Sequence, residues 1–219
     1  MNLERRNTIN KALTYLPKEF LEKEINGKNG ESVTTDEAEV WKRVLNYRLI
    51  KYQQPHLILE THKGNGVGTF LALLACSTSE IISCTHFETQ IPQDVLFDFI
   101  DIDPFGFPYK ALNLCKHLLK KNGIMVITSG EILTITRNLG TAITPTKYKG
   151  KQSWQFVEKD YIPYIENQTK LKCQFFYAYP TSVRIVLSNR SLPKILFDDC
   201  PKWMWWLKRY AEPNIKPLF

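Results

Sequence analysis

Residues 97–106 read Phe-Asp-Phe-Ile-Asp-Ile-Asp-Pro-Phe-Gly. An apolar run that is broken only by acids and ends in Asp-Pro-aromatic-Gly is typical of a buried parallel strand. Such a strand delivers its last acid, here Asp103, to the carboxyl edge of a sheet. Because ligands of open α/β sheets bind at that edge, we expect a site at Asp103.

The turn after this strand has the chemistry to hold a flat molecule. Asp103 can accept hydrogen bonds, and Pro104 stiffens the turn because its ring fixes φ and it has no N–H. The carbonyl before Pro104 therefore stays free as a second acceptor, and Phe105 offers a flat face for stacking. Two acceptors and one aromatic face predict a planar ring that carries an exocyclic NH2 group.

The rest of the chain alternates short apolar strands with helices, which predicts an α/β fold with a mainly parallel sheet. We expect strands at 57–59, 81–87 and 124–128, and a helix over 109–121 that ends at Asn122-Gly123. Residues 172–179 and 182–188 predict an antiparallel hairpin at the end of the sheet. We divide the chain into an N-terminal helical segment (1–55), a sheet domain (56–191) and a Trp-rich tail that packs on it (192–219).

A glycine turn after the first strand is the second candidate site. Glu60 is followed by Gly64 and Gly66, and an acid before a Gly-x-Gly turn into a helix is how many α/β proteins hold an adenosine cofactor. Gly-x-Gly alone is a weak signal, and a tight strand-to-helix turn explains it equally well. The spacing fits neither the nicotinamide motif nor a P-loop. The leading acid favours S-adenosylmethionine, which carries a cationic amino group and a sugar diol, and Glu88 after the next strand is the candidate for the ribose hydroxyls.

The Asp-Pro-Phe-Gly turn resembles that of class I S-adenosylmethionine-dependent methyltransferases that act on exocyclic amino groups. With Pro108, an apolar helix, Asn-Gly and the strand Ile-Met-Val-Ile-Thr at 124–128, it looks like the tRNA guanine-N2 dimethyltransferase family. The resemblance implies a Rossmann-like sheet and S-adenosylmethionine as cofactor. It also implies that Asp103 and Pro104 receive the target NH2, that Asp103 contacts the cofactor as well, and that Phe105 stacks on the base.

The path from the glycine turn to the Asp-Pro turn is shorter here than in that family, where it holds a further helix, strand and helix. We therefore expect a fold that is shortened in the middle. The same shortening supports an alternative interpretation, in which the chain is a non-catalytic nucleic-acid-binding or accessory protein that retained the fold. A DNA amino-methyltransferase is a further alternative, because it would use the same turn.

The formal net charge of +7 favours a polyanionic partner, and we expect RNA rather than DNA. A loop with basic and aromatic residues could grip phosphates and stack on an unpaired base, although a solvated charged loop is equally consistent with it. Its candidate residues are Lys147, Lys149, Lys151 and Trp154.

The five cysteines are scattered and form no Cys-x-x-Cys, which predicts reduced thiols and no metal site. Apolar runs are too short for a membrane span, so we expect a cytoplasmic protein without a membrane partner. The dense aromatic residues near the C-terminus leave open a homodimer or a partner protein.

Overall fold

The computed structural model describes residues 3–26, 36–64, 66–136, 153–179 and 181–202. The helices are α1 (Leu3–Leu13), α2 (Lys18–Asn26), α3 (Glu37–Gln53), α4 (Val67–Ala75), α5 (Phe87–Gln90), α6 (Tyr109–Cys115), α7 (Glu131–Thr136), α8 (Ser153–Phe156) and α9 (Ile162–Thr169). A π-helical turn (Val157–Tyr161) joins α8 to α9, and a 3-10 turn (Lys194–Leu196) follows the last strand. The strands are β1 (Leu57–Glu60), β2 (Glu80–Ser83), β3 (Phe97–Ile102), β4 (Leu119–Ser129), β5 (Lys172–Tyr179) and β6 (Ser182–Ser188).

The six strands form one sheet in the order β2-β1-β3-β4-β6-β5. The pairs β1–β2, β1–β3 and β3–β4 are parallel, and β6 pairs antiparallel with both β4 and β5. The predicted α/β fold, with its parallel sheet and C-terminal hairpin, is confirmed. Because β1, β3 and β4 are parallel, the turns that follow them meet at one edge of the sheet.

Successive residues of the central strands are buried on opposite faces, as the twofold repeat of a strand requires. On one face, Ile58, Phe99 and Val126 pack with residues of α3 and α4. On the other face, Ile100 and Ile127 pack with residues of α6 and of the α8–α9 segment. Helices cover both faces, which explains why these strands are apolar almost without interruption.

The N-terminal helices pack directly on this assembly. Ile9 of α1, Phe20 of α2 and Trp41 of α3 share one buried cluster with Leu71 of α4 and Tyr177 of β5. Residues before the first strand therefore belong to the core, and α3 lies where it can reach the carboxyl edge of the sheet.

Several predicted boundaries are wrong. The helix predicted over 109–121 ends at Cys115, and Asn122-Gly123 lies inside β4. Tertiary pairing overrides the glycine signal there, because β4 pairs with β3 at Leu119 and again over residues 124–127, and Asn122-Gly123 lies at the register shift between these two stretches. The second strand ends at Ser83, not at residue 87. Thr34 and Glu37 fit a capping box in the sequence, but the residue that caps α3 is Asp36, whose side chain accepts from the backbone N–H groups of Ala38 and Glu39.

The middle of the fold is short, as expected. Between Ser83 and Phe97 the chain forms only the four-residue α5 and loops, so β2 is an edge strand of the sheet. None of the helices described is both long and apolar enough to cross a membrane. Within the described ranges, no group of three or more His, Cys, Asp or Glu side chains is placed to hold a metal ion.

Candidate active site

A cavity of about 690 Å³ lies at the carboxyl edge of the sheet, over the ends of β1, β3 and β4. Its size is within the range of roughly 300–1,000 Å³ that is typical of small-molecule sites. The two turns that the sequence singled out both line it, one through Glu60 and Gly64, the other through the segment 103–107. Helix α3 forms a further wall, together with the ends of β4 and of the β5–β6 hairpin.

Asp103 reaches this cavity and is held there by two cations. Lys42 of α3 donates to Asp103 Oδ2 with an Nζ–Oδ2 distance of 2.9 Å, and Arg184 of β6 lies 3.8 Å from Oδ1. Burial raises the pKa of Asp103, but the charges of Lys42 and Arg184 lower it by more, so the net pKa is below the ordinary value. The carboxylate is therefore ionised and oriented before any ligand arrives.

A second carboxylate, that of Asp101, also lines the cavity and is bound by protein side chains. Asp101 accepts from Arg184 at 2.9 Å and from Asn46 of α3 at 2.7 Å. The same guanidinium donates to Asn46 Oδ1 at 2.8 Å and to Thr128 Oγ1. This network joins four elements, α3, β3, β4 and β6, at the edge of the sheet where Asp103 lies.

Lys42 is the residue of α3 that forms an ion pair with Asp103. Its side chain is only 9% exposed, and its Nζ donates to Glu39 Oε1 at 2.8 Å as well as to Asp103. Burying a charge is costly unless an opposite charge lies beside it, and Glu39 and Asp103 supply that here. This ion pair attaches α3 to the Asp-Pro-Phe-Gly turn.

Replacing Lys42 by Met should destabilise the protein in a pH-dependent way. The pKa of Asp103 is lowered in the folded protein, so its ion pair stabilises the fold above the unfolded value of about 3.9 and stops doing so as the pH falls through the folded pKa. The difference in unfolding free energy between wild type and Lys42→Met should be largest near pH 7 and should narrow below about pH 4. Urea unfolding across this pH range measures it.

Lys120→Met is the matched control, because Lys120 pairs with Asp98 of β3 at the same Nζ–Oδ2 distance of 2.9 Å. The Lys120 side chain is 42% exposed, so its removal should cost much less. Equal losses for the two variants, or a loss in Lys42→Met that does not change with pH, would contradict this account.

Glu60 lies at the end of β1 and is buried among hydroxyl groups. Its Oε2 accepts from Thr69 Oγ1 at 2.6 Å and from Ser83 Oγ at 2.8 Å. Burial raises the pKa of Glu60 above its ordinary value, while these two hydrogen bonds oppose the rise. A Cβ atom at Gly68 would collide with Glu60 Oε1, so the first turn of α4 needs glycine for the acid to fit.

The Asp-Pro-Phe-Gly turn projects its aromatic ring out of the protein. Phe105 is fully exposed, and Gly106 has a φ of +105°, a conformation that side chains rarely allow. The carbonyl of Gly106 accepts from the N–H of Gly130 at 2.6 Å, which fastens the turn to the end of β4. Phe105 is thus a free flat surface on a fixed backbone, at the rim of the cavity.

His62 also lines the cavity. Its Nδ1 lies 2.6 Å from Thr61 Oγ1, and its ring lies 4.8 Å from that of Phe87. Burial lowers the pKa of His62, and the nearby carboxylates of Asp103 and Asp101 oppose this effect. His62 therefore favours the neutral form in this site.

The structure does not bring every predicted site residue together. Gly66 is the N-cap residue of α4 and is not among the residues that line the cavity. Glu88 is exposed on α5, where it pairs with Lys110 at 3.3 Å, and it does not line the cavity. Its predicted place at a strand end is wrong because β2 stops at Ser83.

The predicted basic loop cannot be placed on this site. Lys147, Lys149 and Lys151 lie outside the described residues, as does the side chain of Trp154, whose backbone belongs to α8. The Trp-rich tail from residue 203 onward also lies outside them.

Sequence reasoning missed Lys42, Asn46 and Arg184. One signal was available, because Asp101 and Arg184 each interrupt an apolar strand and a buried charge needs a partner. Nothing in the sequence showed that the partner comes from 83 residues away, nor that α3 lies over the same edge.

The fold defined by this sheet order, with a cavity at the carboxyl edge, is the class I methyltransferase fold; the middle of the fold is short. The structure of Trm1 from Pyrococcus horikoshii with S-adenosyl-L-methionine has a TM-score of 0.52 and 13% sequence identity over 67% of this chain. This chain spans only 53% of the Trm1 chain. The O-methyltransferase TomG from Streptomyces achromogenes, involved in tomaymycin synthesis and solved with SAM, has a TM-score of 0.55 and 11% identity over 87% of this chain and all of TomG.

At these identities the likeness concerns the fold alone. The sequence itself matches no protein-family model and no curated protein.

Proposed function

We propose that this protein is an S-adenosylmethionine-dependent methyltransferase that acts on the exocyclic amino group of a nucleobase, with guanine in tRNA or another RNA as the substrate. The observation that carries the proposal is a single cavity lined by Glu60 and Gly64 on one side and by Asp103 and Phe105 on the other. A donor and an acceptor of a methyl group would meet in it.

The residues on the first side fit S-adenosylmethionine. Gly64 and Gly66 have φ values of +55° and +81°, and a Cβ atom at either would meet nothing within 4 Å, so a ligand can approach the backbone closely. Glu60 supplies a carboxylate at the end of β1 for a hydroxyl or ammonium group. Once bound there, the cofactor supplies a methyl group on a sulfonium, which is a reactive donor without help from a metal.

The residues on the second side fit a base with an NH2 group. The Asp103 carboxylate has about four acceptor positions, of which Lys42 and Thr128 use two, so it can still accept from an amine. Phe105 would fix the plane of the ring by stacking. Orientation of the amine toward the methyl group would supply most of the rate, since well-oriented reactions gain several kcal/mol from proximity.

The net charge of +7 supports a nucleic-acid substrate. Lys63 lines the cavity and adds a cation at its mouth. A base in a duplex would have to be extruded to reach the turn. The resemblance of the Asp-Pro-Phe-Gly turn to the tRNA guanine-N2 dimethyltransferase family supports guanine and RNA over adenine or cytosine in DNA.

The test follows tritium from labelled S-adenosylmethionine into unmodified tRNA, into duplex DNA and into the same tRNA transcribed with inosine in place of guanine. Inosine lacks only the 2-amino group, so the proposal requires label in the guanine tRNA and none in the inosine tRNA. Label in DNA alone would support a DNA amino-methyltransferase instead. Equal labelling of both tRNAs would exclude the guanine amino group as the target.

A non-catalytic nucleic-acid-binding protein is the second candidate. The observations in its favour are that both Asp103 oxygens face cations, and that Glu88 lies outside the cavity. Isothermal titration separates the two candidates, because the binder would give no heat with S-adenosylmethionine at high micromolar concentration.

Replacing Gly68 by Ala should weaken S-adenosylmethionine binding. The new Cβ atom would collide with Glu60 Oε1 and turn the carboxylate away from its hydrogen bonds with Thr69 and Ser83. Since a helical Ala is about 1 kcal/mol more favourable than Gly, the helix itself should not suffer. We expect at least a tenfold loss of affinity, roughly 1.4 kcal/mol, by isothermal titration.

Leu73→Ala changes an exposed residue of the same helix and is the control. Unchanged affinity in Gly68→Ala would remove Glu60 from the cofactor site.

Replacing Phe105 by Ala should weaken the binding of RNA without affecting the fold. Stacking of a base on an aromatic ring contributes about 1–3 kcal/mol, which corresponds to roughly a 5- to 150-fold loss of affinity. Because Phe105 is fully exposed, the melting temperature should stay the same. Fluorescence anisotropy with labelled tRNA measures the affinity.

Ile195→Ala is the control, because Ile195 is another exposed apolar residue but lies outside the cavity. Equal affinities in the two variants would show that Phe105 stacks on nothing.

A further inference from the structure

We infer that His62 is the base that takes the proton which the target amine loses during methyl transfer. The inference rests on the proposed function and deepens it, since the cavity then holds a proton acceptor besides its methyl-donor and amine sites. His62 is the second residue after β1 and lines the same cavity as Asp103 and Phe105.

Thr61 is the residue that would select the protonated nitrogen of His62. Its buried hydroxyl oxygen lies 3.3 Å from the carbonyl oxygen of Asp101 and 2.6 Å from His62 Nδ1. A hydroxyl group has one proton, so when it donates to the carbonyl it accepts from Nδ1–H. The inference requires this arrangement, in which His62 is protonated on Nδ1 and Nε2 keeps its lone pair.

The ring is also held in place on its other side. The centroid of the Phe87 ring lies 4.8 Å from that of His62, at an interplanar angle of 47°. An imidazole fixed by a hydrogen bond at Nδ1 and by a ring contact is oriented in the manner of a general base.

The charges around the cavity suit a base that starts neutral and becomes a cation. Besides His62, the titratable groups that line the cavity are Asp36, Glu39, Lys42, Arg43, Glu60, Lys63, Asp101, Asp103 and Tyr179. Burial favours the neutral ring, whereas the carboxylates of Asp103 and Asp101 attract the charged one. The imidazolium that forms on proton uptake would therefore be stabilised by these two acids.

The balance of the step is as follows. The nitrogen lone pair of the amine forms a bond to the methyl carbon, while the bond from methyl to sulfur breaks and leaves its electrons on sulfur. The nitrogen then has one proton too many, and this proton passes to Nε2 of His62. The imidazolium returns it to solvent through the mouth of the cavity.

The first test reads the tautomer directly and needs no activity. In protein labelled with ¹⁵N-histidine, long-range ¹H–¹⁵N spectra distinguish Nδ1–H from Nε2–H, and the signal is assigned with His62→Asn. We expect the Nδ1–H form at pH 7 and a mixture of both forms in Thr61→Val. A dominant Nε2–H form in the wild type would overturn the inference.

The second test measures methyl transfer to tRNA across pH. His62→Asn keeps a donor for Thr61 but has no base, so kcat should fall about 10²-fold, lose its rise with pH and leave the KM for tRNA within about threefold. Exposed His117, outside the cavity, gives the control His117→Asn. If His62→Asn equals the wild type while the wild type is active, only this inference fails. If the wild type transfers no methyl group to any nucleic acid, the proposed function fails and this inference fails with it.

Discussion

Arg184→Met is expected to lower the free energy of unfolding by about 3–5 kcal/mol, the usual cost of removing one partner from a buried ion pair. The Arg184 side chain is 0% exposed and donates to Asp101 at 2.9 Å. Methionine fills much of the same volume, but it leaves the Asp101 carboxylate with Asn46 as its remaining side-chain donor. For a chain of this length the loss corresponds to a decrease of roughly 6–20 °C in melting temperature.

The expected loss of stability is caused by the buried charge that remains on Asp101 without its partner, rather than by the lost side-chain volume. The double variant Arg184→Met with Asp101→Asn removes this charge and should recover at least half of the loss. Lys172→Met is the control, because Lys172 pairs with Glu166 on the surface at 3.8 Å, and such a pair contributes little. Thermal unfolding followed by circular dichroism compares all three. A double variant less stable than Arg184→Met would contradict the explanation.

Asp103→Asn is expected to reduce the rate of methyl transfer by about 10²- to 10³-fold, as for the loss of one oriented group that stabilises a developing charge. The amide replaces one acceptor oxygen by a donor and removes the negative charge opposite the amine, which becomes positive as it is methylated. Single-turnover transfer of tritium to tRNA measures the chemical step.

Asp98→Asn is the matched control for this variant. Asp98 lies five residues earlier, on the strand β3 that leads to Asp103, and it too pairs with a lysine at 2.9 Å. Both variants lose a carboxylate from an ion pair, so their stabilities can be compared, but only Asp103 lines the cavity. Full activity of Asp103→Asn would remove Asp103 from its proposed role and leave the Asp-Pro-Phe-Gly turn without chemistry.

Local sequence was sufficient wherever a contact lies within one turn or one strand. The run from Phe97 to Ile102 forms the predicted strand, and the hairpin boundaries 172–179 and 182–188 are those of the structure. Glu60 lies at the end of the first strand, as expected. These features follow from the alternation of apolar residues and from Gly and Pro, whose backbone preferences act over a few residues.

Prediction failed where two signals compete over a short distance. Asn122-Gly123 is typical of the end of a helix, yet pairing with β3 on either side of these two residues includes them in a strand. The strand predicted over 81–87 puts Glu88 at a strand end, whereas β2 is an edge strand of four residues.

The sequence by itself determined the sheet, the order in which its strands follow along the chain, and the two turns at its carboxyl edge. Only the tertiary structure decided what surrounds Asp103, because Lys42 comes from 61 residues before it and Arg184 approaches from the antiparallel β6. The physical reason is that a buried charge takes the nearest opposite charge in space, whatever its position in the chain. Sequence patterns of short period carry no information on that distance.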